Sequence, residues 1–572
     1  MAYDDSDESD VQKRGRLKER GERWRRRGDQ LFVAKDAYNS LFQACAEIFY
    51  PERADFFGNK SKGDERYEGI YTSVPQRMRR DMANNLGAML RPRGKDWFKA
   101  VARPEELMDD KNTRLWLERA TRTQRNIVYH PGANFTRAMS ESDHDYTTFG
   151  NAIIRHTYNS ANTGLLFTCA HLKDCAWSEN HEGKVDELHE RMHMTLRQCA
   201  GLFGKANLPR EWRETLDKEP EREVQVQRCV APVEEYTYDK TEKPRKSAKY
   251  MSMYMACGVD EKEAGLGEGH FNWFPYLVRR WMTVSGEPYG RSPCAGVALA
   301  DARTLNIAQQ ALLKSVEWKV DPPKVAAHDA VVGEINLRAG AITYYDASAM
   351  GDGNRKVIEN LESGDPRYGI ELTDRLAMNQ GRAFWQDLFK MPDKQMTAYE
   401  AGKWIEEYVR SAAPIFEPME SENAILMDAV FERAWSKGAF GDLDEATQLP
   451  EGMPDGLQGA QVDFEFETPL SIAYRELRTQ QAEALVARMT LQAQIAPDSL
   501  DNVDWDEVTR GAMGDTPTDW ARDPKQVSEM REQRQQAQAE QQQKMEQAQV
   551  LEVGLKARPE NINKLEQAME GA

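Results

Sequence analysis

The sequence predicts a mainly α protein with smaller α/β parts, and three observations predict it. Apolar residues recur at steps of three and four through several long stretches, period-two runs are confined to a few segments, and most Pro and Gly gather between these stretches. The chain has 572 residues, enough for about two or three packed units. A hydrophobic fraction of 40%, a charged fraction of 30% and a mean hydropathy of -0.75 fit a helix-rich protein with polar extensions. No run approaches the roughly 20 apolar residues that span a bilayer, and the charged start MAYDDSDESD lacks the apolar centre of a leader, so an intracellular protein with no membrane partner is expected. The seven cysteines have no short paired spacing and read as reduced thiols. A net charge of -18 argues against wrapping nucleic acid by phosphate neutralisation, without excluding contact with DNA.

Residues 1–10 are an acidic tail, and 11–27 a basic run in which Arg25, Arg26 and Arg27 follow Trp24. A solvated amphipathic helix is expected there, with a partner or nucleic-acid contact as the alternative. Residues 30–157 read as mostly helical from the spacing in LFQACAEIFY and MANNLGAMLRP, with a turn at Pro92, Arg93 and Gly94. From 158 to 280, REVQVQRCV and KYMSMYMACG alternate as strands do, giving an α/β body.

Between Pro293 and Lys319, Ala298, Ala302, Leu305, Ala308, Leu312 and Val316 form one helical stripe rich in small residues, which let neighbouring helices approach closely. The helix spans about 40 Å, and Pro322 and Pro323 end it. A small module over 325–364 contains the strand-like EINLRAGAITYY, a Gly-rich loop at 351–353 and a short helical piece, KVIENLE. A second long helix runs from about Tyr368 to Phe389, so two helices bracket a compact insertion. After the loop at 390–396, Thr397 and Glu400 have the spacing of a capping box and open a new helix. Pro414 and Pro418 are expected to kink or break it before SENAILMDAVFERAWSK continues to Gly438. QVDFEFE reads as an edge strand. The Gln-rich 525–550 sustains no coiled-coil seam and reads as a single helix or a partly disordered tail.

The catalytic-looking string is His189-Glu190-Arg191-Met192-His193. On a helix the two histidines would share a face and could hold zinc, with Glu190 as general base. No third ligand follows: Leu196 and Cys199 stand where the extended zinc-protease motif needs Gly and His, and Glu211 and Glu214 lie beyond a loop with Pro209. A charged structural helix with Leu188, Met192, Leu196 and Cys199 on one side is preferred; a zinc-dependent hydrolase stays as the alternative. There is no phosphate-binding loop and no G-x-S-x-G, GLGEG at 265–269 reads as a surface turn, and Asp501, Asp504 and Asp506 lack the glycine and closing Glu of a calcium loop. No catalytic residue, metal ligand or cofactor is assigned. Lys390 and Lys394 flank Pro392 in the short interhelical loop; they are solvated, or, in a narrow channel, could touch phosphates one at a time.

Six motifs recur in a spaced order. They are Pro92-x-Gly94-x-x-Trp97-Phe98; Asn134-Phe135 followed by Asp145-Tyr146-Thr147-Thr148-Phe149-Gly150; the stretch Val185 to Gly204; Glu287-Pro288-Tyr289-Gly290-Arg291-Ser292-Pro293; Met396-Thr397-Ala398-x-Glu400; and Thr468-Pro469-Leu470. This order, over residues 30 to 490, resembles the head-to-tail connector family of podovirus-type bacteriophage portal proteins. The resemblance implies a non-enzymatic portal-type protomer with wing, stem, clip and crown parts, assembling into a dodecameric ring with a central channel. Residues 1–29 would be a charged arm, 30–290 and 397–470 wing, 291–319 and 368–389 stem helices, 320–367 clip, 390–396 the tunnel loop, and 471–572 crown and tail. The ring would sit at one capsid vertex of the virion after assembly in the host cytoplasm. Its implied partners are major capsid and scaffolding proteins, the terminase large subunit, then a tail adaptor, and double-stranded DNA in the channel near Lys390 and Lys394. An acidic wall suits sliding DNA, since it repels phosphate over a range that salt limits to about 8–10 Å. Another virion ring or adaptor protein is the remaining alternative.

Overall fold

The computed structural model describes residues 10–58, 66–94, 96–159, 161–233, 248–327, 338–345, 358–360, 366–386, 398–444, 452–468 and 524–556, with isolated residues between. Along the chain run α1 (Asp10–Phe49), α2 (Val74–Leu90), β1 (Phe98–Ala102), α3 (Lys111–Val128), α4 (Phe135–Phe149), β2 (Asn151–Tyr158), β3 (Leu165–Ala170), β4 (Cys175–Glu179) and β5 (Val185–Thr195). Then come α5 (Leu196–Phe203), α6 (Arg210–Leu216), β6 (Glu223–Pro232), β7 (Tyr250–Ala256), β8 (Gly265–Phe271) and β9 (Tyr276–Arg280). The last part holds α7 (Leu299–Val320), β10 (Lys324–Ala327), β11 (Ile342–Tyr345), β12 (Ile358–Asn360), α8 (Arg367–Ala383), α9 (Ala398–Ser436), β13 (Val462–Phe466) and α10 (Pro524–Lys556). The chain divides into a larger unit of residues 1–97, 124–433 and 466–474, and a smaller one of 98–123, 434–465 and 475–572.

In the larger unit, β4-β5-β6-β7-β8 form an antiparallel sheet in sequence order, and β3-β2-β9 a second antiparallel sheet. α1 is a single rod of 40 residues that passes residue 29 without a break. Its first half lies on the larger sheet because two glycines let it. A Cβ on Gly21 would stand 2.6 Å from the backbone of Gly265, and one on Gly28 would stand 2.0 Å from Gln227 Nε2. Between them Trp24 is buried against Cys229, Met251, Met253 and Met255. The inner face of the basic run is therefore packed on the sheet and ion-paired, while Arg26, 62% exposed, and Arg27, 45% exposed, keep a solvated outer side. Arg27 pairs with Glu187 at 2.9 Å, Arg20 with Glu268 at 3.3 Å and Arg26 with Glu261 at 2.9 Å, and Arg25 donates to the Val259 carbonyl at 2.7 Å.

The second half of α1 builds the main core. Cys45 and Phe49 meet Met82, Leu86 and Leu90 of α2, Tyr146 of α4, and Ala412, Ile415, Phe416 and Met419 of α9. Lys35, fully buried, donates to the carbonyls of Leu172, Lys173 and Cys175, the last at 2.8 Å. Burial of the ammonium lowers its pKa to about 8.

Several sequence expectations are corrected. Residues 185–195 form a strand, and only 196–203 are helical, opened by a capping box between Thr195 and Gln198. A run such as VDELHERMHM suits either period, and ladder bonds to β4 on one side and β6 on the other decide it. GLGEG lies in β8, where Gly265 admits the backbone of α1. The centre of KVIENLE is β12, antiparallel to β10, which also pairs parallel with β11. α9 contains Pro414 and Pro418 and is one helix of 39 residues, so the prolines do not break it. The missing N–H groups cost two ladder bonds, and the burial of Ala412, Ile415, Phe416 and Met419 offsets the loss. α8 ends at Ala383, and residues 387–389 of the expected helix lie outside the described residues. The seven cysteines are all free thiols, five of them buried.

In the smaller unit, β1 pairs with β13, the strand expected from QVDFEFE, and Trp116 packs edge-on against Trp435 at 6.2 Å. α10 is a single helix of 33 residues, and residues 526–549, whose burial is described, are almost wholly exposed.

Gly21→Ala forces α1 off the sheet, since no side chain can yield where both contacts are backbone. An overpacking loss of about 1–3 kcal/mol is expected, read as a lower urea midpoint and faster tryptic cleavage at Arg25–Arg27. A pH effect follows from Glu187. Burial raises its pKa, but hydrogen bonds from His189, Arg27 and Ser178 outweigh burial and hold it at about 2, against an ordinary 4.5. A depressed carboxyl pKa contributes stability above about 4.5 that is lost as pH falls toward about 2. Comparing acid unfolding of the native chain and Glu187→Gln checks this: the variant should lose less stability across that window.

Candidate assembly interface

The H-E-x-x-H string does not form a metal centre. On a strand, His189 and His193 lie about 13 Å apart at a rise of about 3.3 Å per residue, too far to share an ion. His189 is buried, with Nε2 at 3.0 Å from Glu187 and Nδ1 at 3.2 Å from Gln227. Glu190 points to the other face, where it accepts from Tyr276 Oη at 2.7 Å and Arg155 at 2.9 Å. Among the described residues no group of three His, Cys, Asp or Glu side chains could hold a metal. Likewise, no described helix is long and apolar enough to cross a membrane. Lys390, Lys394, Thr397, Asp501, Asp504 and Asp506 lie outside the described residues.

The two helices that bracket the insertion present a different kind of site. α7 has 22 residues, about 33 Å, and α8 has 17, about 26 Å. They approach closely at Gly369, where a Cβ would stand 3.1 Å from Leu312 Cδ1. Gln380 donates to the Ala298 carbonyl at 2.8 Å, joining α8 to the π-helical turn Cys294–Ala298 that opens α7. Asn306 and Gln310 of α7 bind the segment 69–71 through bonds of 2.7–2.8 Å to Gly69 and Tyr71. Beyond Leu305, however, no residue of α7 is buried. Ile307 is 66% exposed and Val320 81%; on α8, Tyr368 is 78% and Met378 64% exposed. These side chains do not form one stripe: at about 100° per residue Leu313 and Val316 fall with Val320, on the side of α7 opposite Ile307, so apolar surface is exposed on more than one side of the pair.

Three of the motifs singled out in the sequence meet in space, Gly150 with Ser292 at the base of α7 and Trp97 with Phe135. Gly150, at φ +73, sits so close to Arg291 and Ser292 that a Cβ would stand 2.4 Å from the Ser292 nitrogen. Asn151 both donates to the Gly290 carbonyl and accepts from its N–H, each at 2.8 Å, and Ser292 Oγ donates to the Thr148 carbonyl at 2.6 Å. Trp97 stacks on Phe135 at 6.5 Å and donates to Tyr129 Oη at 2.8 Å. Thr468 donates to Glu420 at 2.6 Å.

Beneath them lies a buried charge network that sequence reading missed. Arg279 donates to Asp143 at 2.8 Å and Glu422 at 3.1 Å, and lies 4.2 Å over the Tyr146 ring. Arg91 binds the other oxygen of Asp143. Burial favours the neutral guanidine of Arg279, but Asp143 and Glu422 outweigh it and hold the group charged. Burial pushes the Glu422 carboxyl up. No signal in the sequence announces these four residues, because they come from α4, β9, α9 and the residue that follows α2.

Comparison with known proteins identifies the family of the chain. The "probable portal protein" of Bordetella phage BPP-1 is 26% identical over 490 residues, 84% of each chain. The portal protein of Salmonella phage epsilon15 is 25% identical over 489 residues, again 84% of each. Two solved structures of gene transfer agent particles, a native virion and the neck of an empty particle, give TM-scores of 0.34 and 0.31 at 10% identity over 75% of this chain and 92% of theirs, a likeness too slight to argue from. Residues 22–516 match the family described as bacteriophage head to tail connecting protein. The chain belongs to the bacteriophage head-to-tail connecting protein family.

Proposed function

We propose that the chain is the portal subunit of a short-tailed phage, a structural protein that assembles with copies of itself into a ring, expected to be dodecameric, at one capsid vertex. The observation that carries this is the set of exposed apolar side chains on α7 and α8, with Ile307, Val320, Tyr368 and Met378 more than half exposed. Eight aliphatic, Met and Tyr side chains on the pair, including Leu313, Val316, Ile370 and Leu372, are at least 43% exposed, and a second copy of the same pair is the partner that would bury them. The portal names of the two phage relatives support the reading.

In this proposal α7 and α8 are the stem, within 291–319 and 368–389, and β10, β11 and β12 belong to the clip at 320–367. Residues 30–290 and 397–470 make the wing, and 471–572 the crown and tail. The clip receives the terminase large subunit during packaging and a tail adaptor afterwards, and capsid and scaffolding proteins surround the wing. Double-stranded DNA passes through the channel, where the segment 390–396 offers Lys390 and Lys394 to phosphates. The chain works as a conduit, made in the host cytoplasm and retained in the virion, and the strand geometry of His189 and His193 disfavours the zinc-hydrolase alternative.

Two experiments test it. The pair Ile307→Glu and Met378→Glu places like charges in the contact. Size-exclusion chromatography and particle images should show rings in the native protein and monomers in the variant, whereas rings in both would reject the interface. Substituting Lys390 and Lys394 together by Ala should leave ring formation intact and lower packaged or retained DNA several-fold; unaltered genome content would remove them from the channel.

A further inference from the structure

α8 stops where its sequence does not ask it to. The run GRAFWQDLF from Gly381 has no proline and keeps its apolar spacing, yet the helix ends at Ala383. Residues 381–386 close a complete terminating motif. The N–H of Gln386 donates to the Gly381 carbonyl and that of Trp385 to the Arg382 carbonyl, both at 3.0 Å, the six-to-one and five-to-two bonds of a Schellman stop. The left-handed position of that motif normally holds Gly or Asn. Here it holds Trp385, at φ +47. The other non-glycine residues with positive φ among those described are Asn134 and Asn162, whose short polar side chains tolerate it. A bulky L-residue does not, because its Cβ crowds the following carbonyl.

Aromatic contacts hold Trp385 there. Its indole stacks on Trp281 with ring centroids 5.6 Å apart and planes 11° from parallel. Trp281 packs in turn on Tyr146 at 4.9 Å, and the neighbouring Phe384, fully buried, meets Phe49 edge-on at 5.7 Å. The gain from such a stack and the penalty of a left-handed L-residue are of the same order. Two arrangements so closely matched form a bistable element.

The geometry points to a helix end with two positions. With Trp385 stacked on Trp281, α8 stops at Ala383. With the stack open, Trp385 takes right-handed dihedrals and α8 runs on through at least Gln386. Three added residues carry the chain's exit about 4.5 Å along the axis and most of a turn around it. The Trp281–Trp385 pair thus sets the direction in which the chain leaves α8 toward Lys390. Only that consequence rests on the channel reading proposed above; the helix end does not.

Cryo-electron microscopy of the full-length assembled protein and three variants tests this. α8 should end at Ala383 in the native chain and in Trp385→Gly, since glycine relaxes the left-handed position. It should continue through Gln386 in Trp281→Ala, which removes the stack, and in Trp385→Val, whose branched Cβ rejects positive φ. A helix ending at Ala383 in either of those two variants overturns the proposal. Trp385→Val leaves Trp281 on Tyr146 and stays readable if loss of Trp281 prevents folding. Unaltered DNA content on changing Lys390 and Lys394, beside a helix end that moves as stated, would reject the channel role of the lysines and leave the two-position end standing.

Discussion

Arg279 is the charge around which the larger unit is organised. It is 1% exposed and holds Asp143 of α4 and Glu422 of α9 at once, while Asp143 also takes Arg91 from the end of α2. Four elements far apart in the chain are thereby brought to one point. Burying these charges is costly by itself, and removing one partner from such a group costs several kcal/mol because another charge is left unpaired. The same cluster carries Tyr146, on which Trp281 rests, so the end of α8 depends on it through two aromatic contacts. The base of α7 is fixed beside it by Gly150, Asn151 and Ser292.

The division of labour between polar and apolar contacts follows from this base. Buried polar bonds specify where α7 and α8 begin and how they are clamped, with Gln380 on Ala298 and Asn306 on Gly69. Farther out, α7 carries little that is satisfied within its own chain. A helix pair fixed at its root, with exposed apolar side chains on more than one side, is suited to contact with copies of itself, because a fixed root presents the same surfaces in every copy. The acidic balance of -18 hides a second arrangement: within the densest basic run Arg20, Arg26 and Arg27 are ion-paired to Glu268, Glu261 and Glu187 of the same chain.

Much of this was legible in the chain. The two long helices around an insertion, the start of a helix near residue 398, the strand at 462–466 and the single C-terminal helix follow from period and punctuation, which are local properties. The motifs carrying the family resemblance were also visible, though not their pairing: Gly150 with Ser292, and Trp97 with Phe135, are contacts between segments about forty to one hundred and forty residues apart. The misreadings have one cause. His189 and His193 occur in a run compatible with either period, and partner strands chose the strand; Pro414 and Pro418 break an isolated helix, and a packed core carried this one through.

By itself, then, the sequence determined the family, the helical class and the order of the elements, because motif order and hydrophobic period are written locally. Tertiary structure decided what those elements do. It turned a basic arm into an ion-paired brace, a zinc-like string into a buried strand, and a continuous helical pattern into a helix that stops at Ala383. The physical reason is common to all three: each outcome involves a partner remote in sequence, Glu187 for Arg27, β6 for β5 and Trp281 for Trp385, which no local pattern contains.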